Sequence, residues 1–376
     1  MIRVLFIARY RDATMDRKIA LMAQNTDLTI WQIRPSSWQD ELLQIEQFTS
    51  DATAWRQIAL PLIGRPNDPH RTIYRTLTFA LRRFHPHIIH AEEEPDSLSA
   101  LQITLARALW APQARLILYT WQNINRPKRW YVKSVMRTTL RAADSILCAN
   151  QEAVHILRQQ GYRGHAMVLP AIGVDTRVFA PCADRPENRP GFVVGYIGRL
   201  VPEKGIDLLI EAIPLIGGNI RLLIMGSGPY RPTLEEMARI VKVSDQVDFI
   251  PPVPSSQVAR QMCALGVLVL PSRTTSVWKE QFGRVLVEAM ACKVPVIGSD
   301  SGAIPEVIGD AGLIFPEGNA AALADCLRRL IESPTLRHDL AERGYTRANR
   351  LYSQEHIAEQ TADFYRQIMK WESPQG

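Results

Sequence analysis

A chain of 376 residues, 46% hydrophobic and 22% charged, has the composition of a folded globular protein and the length of two ordinary domains. Five cysteines, Cys148, Cys182, Cys263, Cys292 and Cys326, are odd in number, scattered and without a CxxC pair, which argues against disulfides and zinc sites and fits a reducing cytoplasm. The net charge of +6 is uneven: residues 1–185 hold 24 Lys+Arg against 16 Asp+Glu and the remainder 20 against 22, so the first part is the one expected to meet something anionic.

The chain opens on Met1-Ile2-Arg3-Val4-Leu5-Phe6-Ile7-Ala8, too brief for a signal-peptide core and suited to a first strand. No apolar run approaches the roughly 18 residues of a membrane-spanning helix. Short β-rich runs then alternate with amphipathic helical stretches, the pattern of parallel sheets wrapped by helices. Strands are predicted at 4–8, 28–33, 88–90, 116–119, 145–149 and 166–169. The stretch Pro181-Cys182-Ala183-Asp184-Arg185-Pro186-Glu187-Asn188-Arg189-Pro190 has three prolines and no apolar period, so it reads as a linker between domains at 1–185 and 186–350. In the second domain strands are predicted at 192–197, 220–225, 247–250, 267–270, 294–297 and 312–315. Helices near 320–331 and 335–350 lead into a last one within 351–376.

Four segments carry candidate chemistry. Gly198-Arg199-Leu200 ends a strand, with Lys204-Gly205 where a helix should begin; a basic pair at the carboxyl edge of a parallel strand suits a diphosphate, and equally a solvated turn. Gly226-Ser227-Gly228-Pro229 follows the next strand and is a tight turn, lacking the third glycine of a dinucleotide fingerprint because Arg231 stands there. Glu280-Gln281-Phe282-Gly283-Arg284-Val285-Leu286-Val287-Glu288 puts two carboxylates eight positions apart. With Gly283 opening a helix, Glu288 projects from its second turn; carboxylates accept hydrogen bonds from the vicinal hydroxyls of ribose and hexose, although Glu288 could instead pair locally. The fourth segment is Ser301-Gly302-Ala303-Ile304-Pro305-Glu306.

Taken together and in this order, these segments resemble the family 4 retaining glycosyltransferases (glycosyl transferases group 1), over essentially all of residues 191–350. The resemblance implies α/β GT-B architecture: two facing Rossmann-like domains with parallel sheets and a deep interdomain cleft, the last helix crossing back to the first domain. It implies an enzyme, a metal-independent retaining hexosyltransferase that needs no cofactor, moving a sugar from a nucleotide diphosphate sugar, UDP before GDP, to a hydroxyl of a saccharide or lipid-linked acceptor. Glu280, Arg199 and Lys204 would be the catalytic residues. Arg199 and Lys204 with Gly226, Gln281, Phe282, Gly283 and Glu288 would hold the donor.

The first domain departs from the family. Where relatives carry a Gly-Gly loop this chain has Arg9-Tyr10-Arg11-Asp12-Ala13. Where relatives often have a His-x-His segment it has His90 and Glu92, and Gln122, followed by Asn123, stands in place of a histidine. Gln122 donates hydrogen bonds but cannot act as acid or base. Arg9, Arg11, His90, Glu92, Gln122 and Asn123 are therefore the acceptor-side candidates. The departures keep open an alternative, a degenerate relative that binds nucleotide sugar without transferring it.

Arg126, Lys128, Arg129, Lys133, Arg137 and Arg141 follow with no acidic residue among them, interleaved with Trp130, Tyr131, Val135, Met136 and Leu140. The pattern suits an ordinary solvated amphipathic helix, or one in peripheral contact with an anionic membrane at the inner face. Nucleic acid is not an expected partner, since no recognition motif accompanies the charge.

Overall fold

A computed structural model describes residues 1–9, 13–36, 55–65, 68–181 and 191–371. Arg11 and residues 182–190 of the predicted linker lie outside the described residues. The chain divides into two compact units, Met1–Gly173 with Gln354–Gly376, and Val174–Ser353.

The first unit holds strands β1 (Ile2–Ile7), β2 (Leu28–Pro35), β3 (Trp55–Leu60), β4 (Leu62–Gly64), β5 (Thr72–Tyr74), β6 (Ile88–Ala91), β7 (Arg115–Thr120), β8 (Ser145–Cys148) and β9 (His165–Val168). Seven of them form one parallel sheet in the order β3-β2-β1-β6-β7-β8-β9, and β4 and β5 pair antiparallel beside it. Helices α1 (Ala13–Met22), α2 (Leu77–Phe84), α3 (Leu98–Trp110), α4 (Trp130–Ala142) and α5 (Gln151–Gln159) connect the strands. Side chains alternate across a strand, so β1 sends Leu5 and Ile7 into one apolar cluster and Val4 and Phe6 into the other.

That second cluster is completed from the far end of the sequence. The C-terminal helix, Gln354–Ile368, contributes Ile357, Phe364, Tyr365 and Ile368 to it, all at 2% exposure or less. Burying an apolar side chain of this size stabilises by about 1.5–3 kcal/mol. Polar contacts fix the helix as well: Arg17 to Glu355 at 2.6 Å, Arg366 to Asp27 at 2.8 Å, and the Tyr365 hydroxyl 2.6 Å from His90 Nδ1.

The second unit contains β10 (Phe192–Ile197), β11 (Ile220–Met225), β12 (Val247–Ile250), β13 (Val267–Leu270), β14 (Val296–Ser299) and β15 (Leu313–Phe315). They form a parallel sheet in the order β12-β11-β10-β13-β14-β15. Its helices are α6 (Asp207–Ile216), α7 (Arg231–Ile240), α8 (Ser255–Met262), α9 (Arg284–Ala291), α10 (Ile304–Ile308), α11 (Ala320–Glu332) and α12 (Pro334–Arg347); the C-terminal helix is α13. Side-chain caps fix several starts. Asn319 accepts from Ala322 N at 2.9 Å to open α11, and Ser333 from Leu336 N at 3.2 Å to open α12, each worth about 1 kcal/mol.

The unit boundary lies earlier than the linker suggested. Val174 donates its amide to the Tyr352 carbonyl at 2.8 Å, and Val174 and Phe179 are buried in the second unit's core, so the chain changes core before the prolines begin. Among the described residues Cys148 and Cys326 are free thiols, whereas Cys263 is disulfide-bonded. This corrects the expectation drawn from an odd, scattered count, since spacing along a chain says nothing about which cysteines a fold brings together. No helix among the described residues is long and apolar enough to cross a membrane.

Candidate functional site

In an open parallel sheet the ligand crevice lies beyond the carboxyl ends of the strands, where the strand order reverses. In the second unit that point is between β10 and β13, and the loops leaving those two strands carry the residues singled out from the sequence. The β10 loop supplies Gly198, Arg199 and Lys204; the β13 loop runs from Pro271 to Gly283 and into α9. Lys204 Nζ stands 2.5 Å from Glu280 Oε2, and so joins the two loops across the reversal.

Glu280 is 7% exposed and held from several sides. Ser272 Oγ donates to the same Oε2 at 3.0 Å. Its main-chain carbonyl accepts from Ala303 N at 3.0 Å, so the turn at Ser301-Gly302-Ala303 grips the Glu280 backbone. Gly302 is needed there: its φ is +56°, and a Cβ would collide with the Glu280 carbonyl oxygen. Lys204 is steadied in turn by the Trp278 ring, 4.7 Å from its ammonium.

Arg199 is exposed, and its carbonyl is fixed by the Tyr196 hydroxyl at 2.7 Å. The β11 loop packs against it main chain to main chain, with Gly198 N donating to Met225 O at 3.0 Å and Leu200 N to Ser227 O at 2.8 Å. A Cβ on Gly226 would strike the Gly198 carbonyl. Gly226 therefore keeps the Arg199 loop seated, and its own amide donates to Ile250 O at 2.9 Å.

Gly283 caps α9, which starts at Arg284, so Glu288 does project from the second turn. It is 8% exposed and lies 3.0 Å from Arg284 one turn earlier, the local pairing weighed from the sequence. Gln281 is half-buried, and Phe282 packs edge-on to Tyr352 at 5.6 Å between ring centroids. Among the described residues no group of three His, Cys, Asp or Glu side chains is placed to hold a metal.

The first-unit candidates are placed differently. Arg9 makes a two-pronged contact with Glu93 at 2.8 and 3.1 Å and reaches Ser99 at 3.2 Å, beside the Tyr74 ring. His90 is 1% exposed, edge-on to Phe6 and bonded to Tyr365, and burial together with the Lys18 charge holds its pKa well below the usual imidazole value. Glu92 is buried against Lys18 at 2.6 Å. These three are built into the unit's interior.

Gln122 belongs to a polar cluster at the carboxyl ends of β6 and β7 whose centre the sequence reading passed over, the carboxylates Glu94 and Asp96. Gln122 donates to Asp96 Oδ1 at 2.9 Å, Lys128 reaches Asp96 Oδ2 at 2.7 Å and Gln122 Oε1 at 3.0 Å, and His70 lies 3.2 Å from Asp96. Glu94 accepts from the Thr120 hydroxyl and the Trp121 amide, both at 2.7 Å. Burial, then the neighbouring Asp96 charge, pushes Glu94 up to about 7. Burial acts the same way on Asp96, but bonds from His70 and Lys128 overcome it and hold that carboxyl well below its usual range. The run Glu92-Glu93-Glu94 with Asp96 was the available signal. Asn123, beside Gln122, is 3% exposed.

Residues 183–347 match the family model for glycosyl transferases group 1. That stretch, most of the second unit, resembles the family. A GDP-mannose-dependent alpha-(1-6)-phosphatidylinositol monomannoside mannosyltransferase of Mycolicibacterium smegmatis is 35% identical over 43% of this chain and 46% of its own length. Among solved structures, a sucrose-phosphate synthase of Thermosynechococcus elongatus covers 98% of this chain and 99% of its own at TM-score 0.74 and 22% identity. The Anabaena protein HepE in complex with UDP covers 98% and 100% at TM-score 0.75 and 16% identity. These structural likenesses establish the fold, two Rossmann-like halves of GT-B type. The chain spans about half the length of the curated relatives it matches.

Proposed function

We propose that the chain is a glycosyltransferase of this kind, moving a hexose-type unit from a nucleotide diphosphate sugar to a hydroxyl of a saccharide or lipid-linked acceptor, with retained anomeric configuration and without a divalent cation. The observation that carries the reading is the Lys204–Glu280 pair across the strand-order reversal of the second unit, with Arg199 exposed beside it. The Lys204 ammonium has three donors, so it can keep Glu280 and still meet a phosphate oxygen. Arg199 adds a planar fork for the diphosphate, and the α9 N-terminus adds partial positive charge.

Cleavage of the bond between the anomeric carbon and the diphosphate leaves negative charge on the departing oxygen, which these groups neutralise. The acceptor oxygen bonds to the anomeric carbon on the same face, and its proton passes to the departing diphosphate. Glu280 would orient the transferred sugar and Glu288 the ribose hydroxyls. UDP is the base to test first and GDP its rival, since the Mycolicibacterium relative is by name GDP-mannose dependent. A lipid-linked acceptor would bring the chain to the periphery of an anionic membrane.

The test is thermal stabilisation by UDP, GDP and their sugar conjugates in EDTA, for wild type and Glu288→Ala. Stabilisation by one base, kept in EDTA and lost in the variant, supports the reading; no stabilisation by any of them refutes it. A second reading, donor binding without transfer, is favoured by the burial of Arg9, His90 and Glu92 in internal pairs. Donor consumption with an acceptor from a broad panel would remove it.

A further inference from the structure

The middle of the β13 loop, residues 273–279, is tied at both ends to the Ser301-Gly302-Ala303 turn. At its start the Thr274 hydroxyl lies 3.0 Å from the Ser301 hydroxyl, and Thr274 N donates to Glu317 Oε2 at 2.7 Å. Past its end Ala303 N holds the Glu280 carbonyl at 3.0 Å. Between these ties the main chain closes on Thr275, whose amide donates to Trp278 O at 2.7 Å and whose hydroxyl accepts from Trp278 N at 2.9 Å and from Val277 N at 3.2 Å. Trp278 therefore stands on a turn that is ordered before any ligand arrives.

Burial does not account for so well-fixed an indole. Trp278 is only half-buried, and among the described residues it joins none of the apolar clusters of either unit. What its ring meets is Lys204, whose ammonium lies 4.7 Å from the ring centre and 2.5 Å from Glu280 Oε2. No group among the described residues accepts from the indole N–H. An indole offers an apolar face on which the C–H face of a pyranose packs, and an N–H donor for one of its hydroxyls. We propose that Trp278 is the wall of the donor pocket that recognises the transferred sugar, a pyranose packed on the indole with one hydroxyl accepting from its N–H. The proposal rests on the donor reading above and adds the residue that separates a nucleotide diphosphate sugar from the bare nucleotide diphosphate. Because the turn is already set, binding costs little further ordering there.

The experiment is calorimetric titration of the full chain with UDP, UDP-glucose, GDP and GDP-mannose, for wild type, Trp278→Ala, Trp278→Phe and Val277→Ala. Its readout is the affinity ratio between the better-bound sugar conjugate and its own nucleotide diphosphate. Loss of the indole lowers that ratio about tenfold in Trp278→Ala. Trp278→Phe, which keeps a ring without the N–H, lowers it about threefold, and keeps the test open should the alanine variant fail to fold in urea melts. Val277→Ala, at a 59% exposed position of the same turn, leaves it unchanged. Lys204 keeps Glu280 in every variant, so the bare nucleotide loses little. A ratio unchanged in both Trp278 variants would overturn the proposal; if both affinities fall together, Trp278 acts only by steadying Lys204. In that case nucleotide binding by wild type still leaves the donor reading standing, whereas wild type that binds none of the four removes the donor reading and the proposal with it.

Discussion

Gly302 offers a stringent test of how the candidate site is built. In Gly302→Ala the backbone stays near φ +56°, which costs a residue with a Cβ about 1–2 kcal/mol. The new methyl group also collides with the Glu280 carbonyl oxygen, with the Glu280 carbon and nitrogen at 3.0 and 3.1 Å behind it, so relief requires moving the β13 loop. That movement breaks the Ala303 N to Glu280 O bond, worth about 1 kcal/mol, and strains packed surroundings by roughly 1–3 kcal/mol. The expected loss is about 3–6 kcal/mol. Gly318 is the internal control: its φ is +76° and nothing lies within 4 Å of an added Cβ, so Gly318→Ala should lose only the 1–2 kcal/mol of backbone strain. Urea unfolding of the three proteins in parallel reads the difference in midpoint at unchanged slope. Equal losses in the two variants would refute the claim that the Glu280 carbonyl is what demands glycine at 302.

Three further outcomes follow from the same geometry. Removing Lys204 (Lys204→Met) leaves the buried Glu280 carboxylate with Ser272 but without its cation, and should raise the donor KM and cost roughly 2 kcal/mol of stability, measured by steady-state kinetics and urea melts. Tyr365→Phe strips His90 Nδ1 of its partner inside the first unit and should lower stability by about 1–3 kcal/mol with donor affinity unaltered. Glu94, raised from 4.5 to about 7 in the folded chain, keeps a proton that the unfolded chain releases; its contribution is fully present below about pH 4.5 and is lost as pH rises to about 7. Glu94→Gln keeps an acceptor for the Trp121 amide without that titration, so the decline, at most roughly 3 kcal/mol, should be absent from the variant's stability–pH curve between those limits.

The second unit was the more legible in sequence, for a physical reason. Its strands are short runs buried on both faces, such as Val267–Leu270, and they stand out against polar helix faces and turn residues. Even there β14 sits at Val296–Ser299 rather than 294–297, because a buried apolar run does not mark which of its residues enter the ladder. Strand β3 was missed: in Trp-Arg-Gln-Ile-Ala-Leu only the two ends are buried, which leaves neither alternation nor a continuous run to detect. The boundary near 185 was displaced for a related reason, since Val174 and Phe179 carry no compositional sign of the core they join. At the site, Lys204 and Glu280 were each picked out, but their contact spans 76 positions and only the strand order reveals it. Arg9, His90 and Glu92 had looked like surface chemistry because a residue at a strand end gives no hint of the helix that will cover it, and for His90 that helix is the last in the chain.

The first sheet therefore waits on residues synthesised after the whole of the second unit. Residues 174–353 form a contiguous unit, whereas the unit that begins at Met1 lacks α13 until residues 354–368 have been made. Until then the face of Val4, Phe6 and Ile30 that receives Ile357, Phe364 and Ile368 is an uncovered apolar surface on a nascent chain. The order of folding would be the reverse of the order of synthesis, second unit before first, against the usual tendency of domains to fold from the N-terminus as they emerge. A chain cut at residue 353 would keep a complete second unit and a first unit with one side of its sheet open, which makes the last fifteen-residue helix a checkpoint for chaperones and proteases as much as a piece of structure.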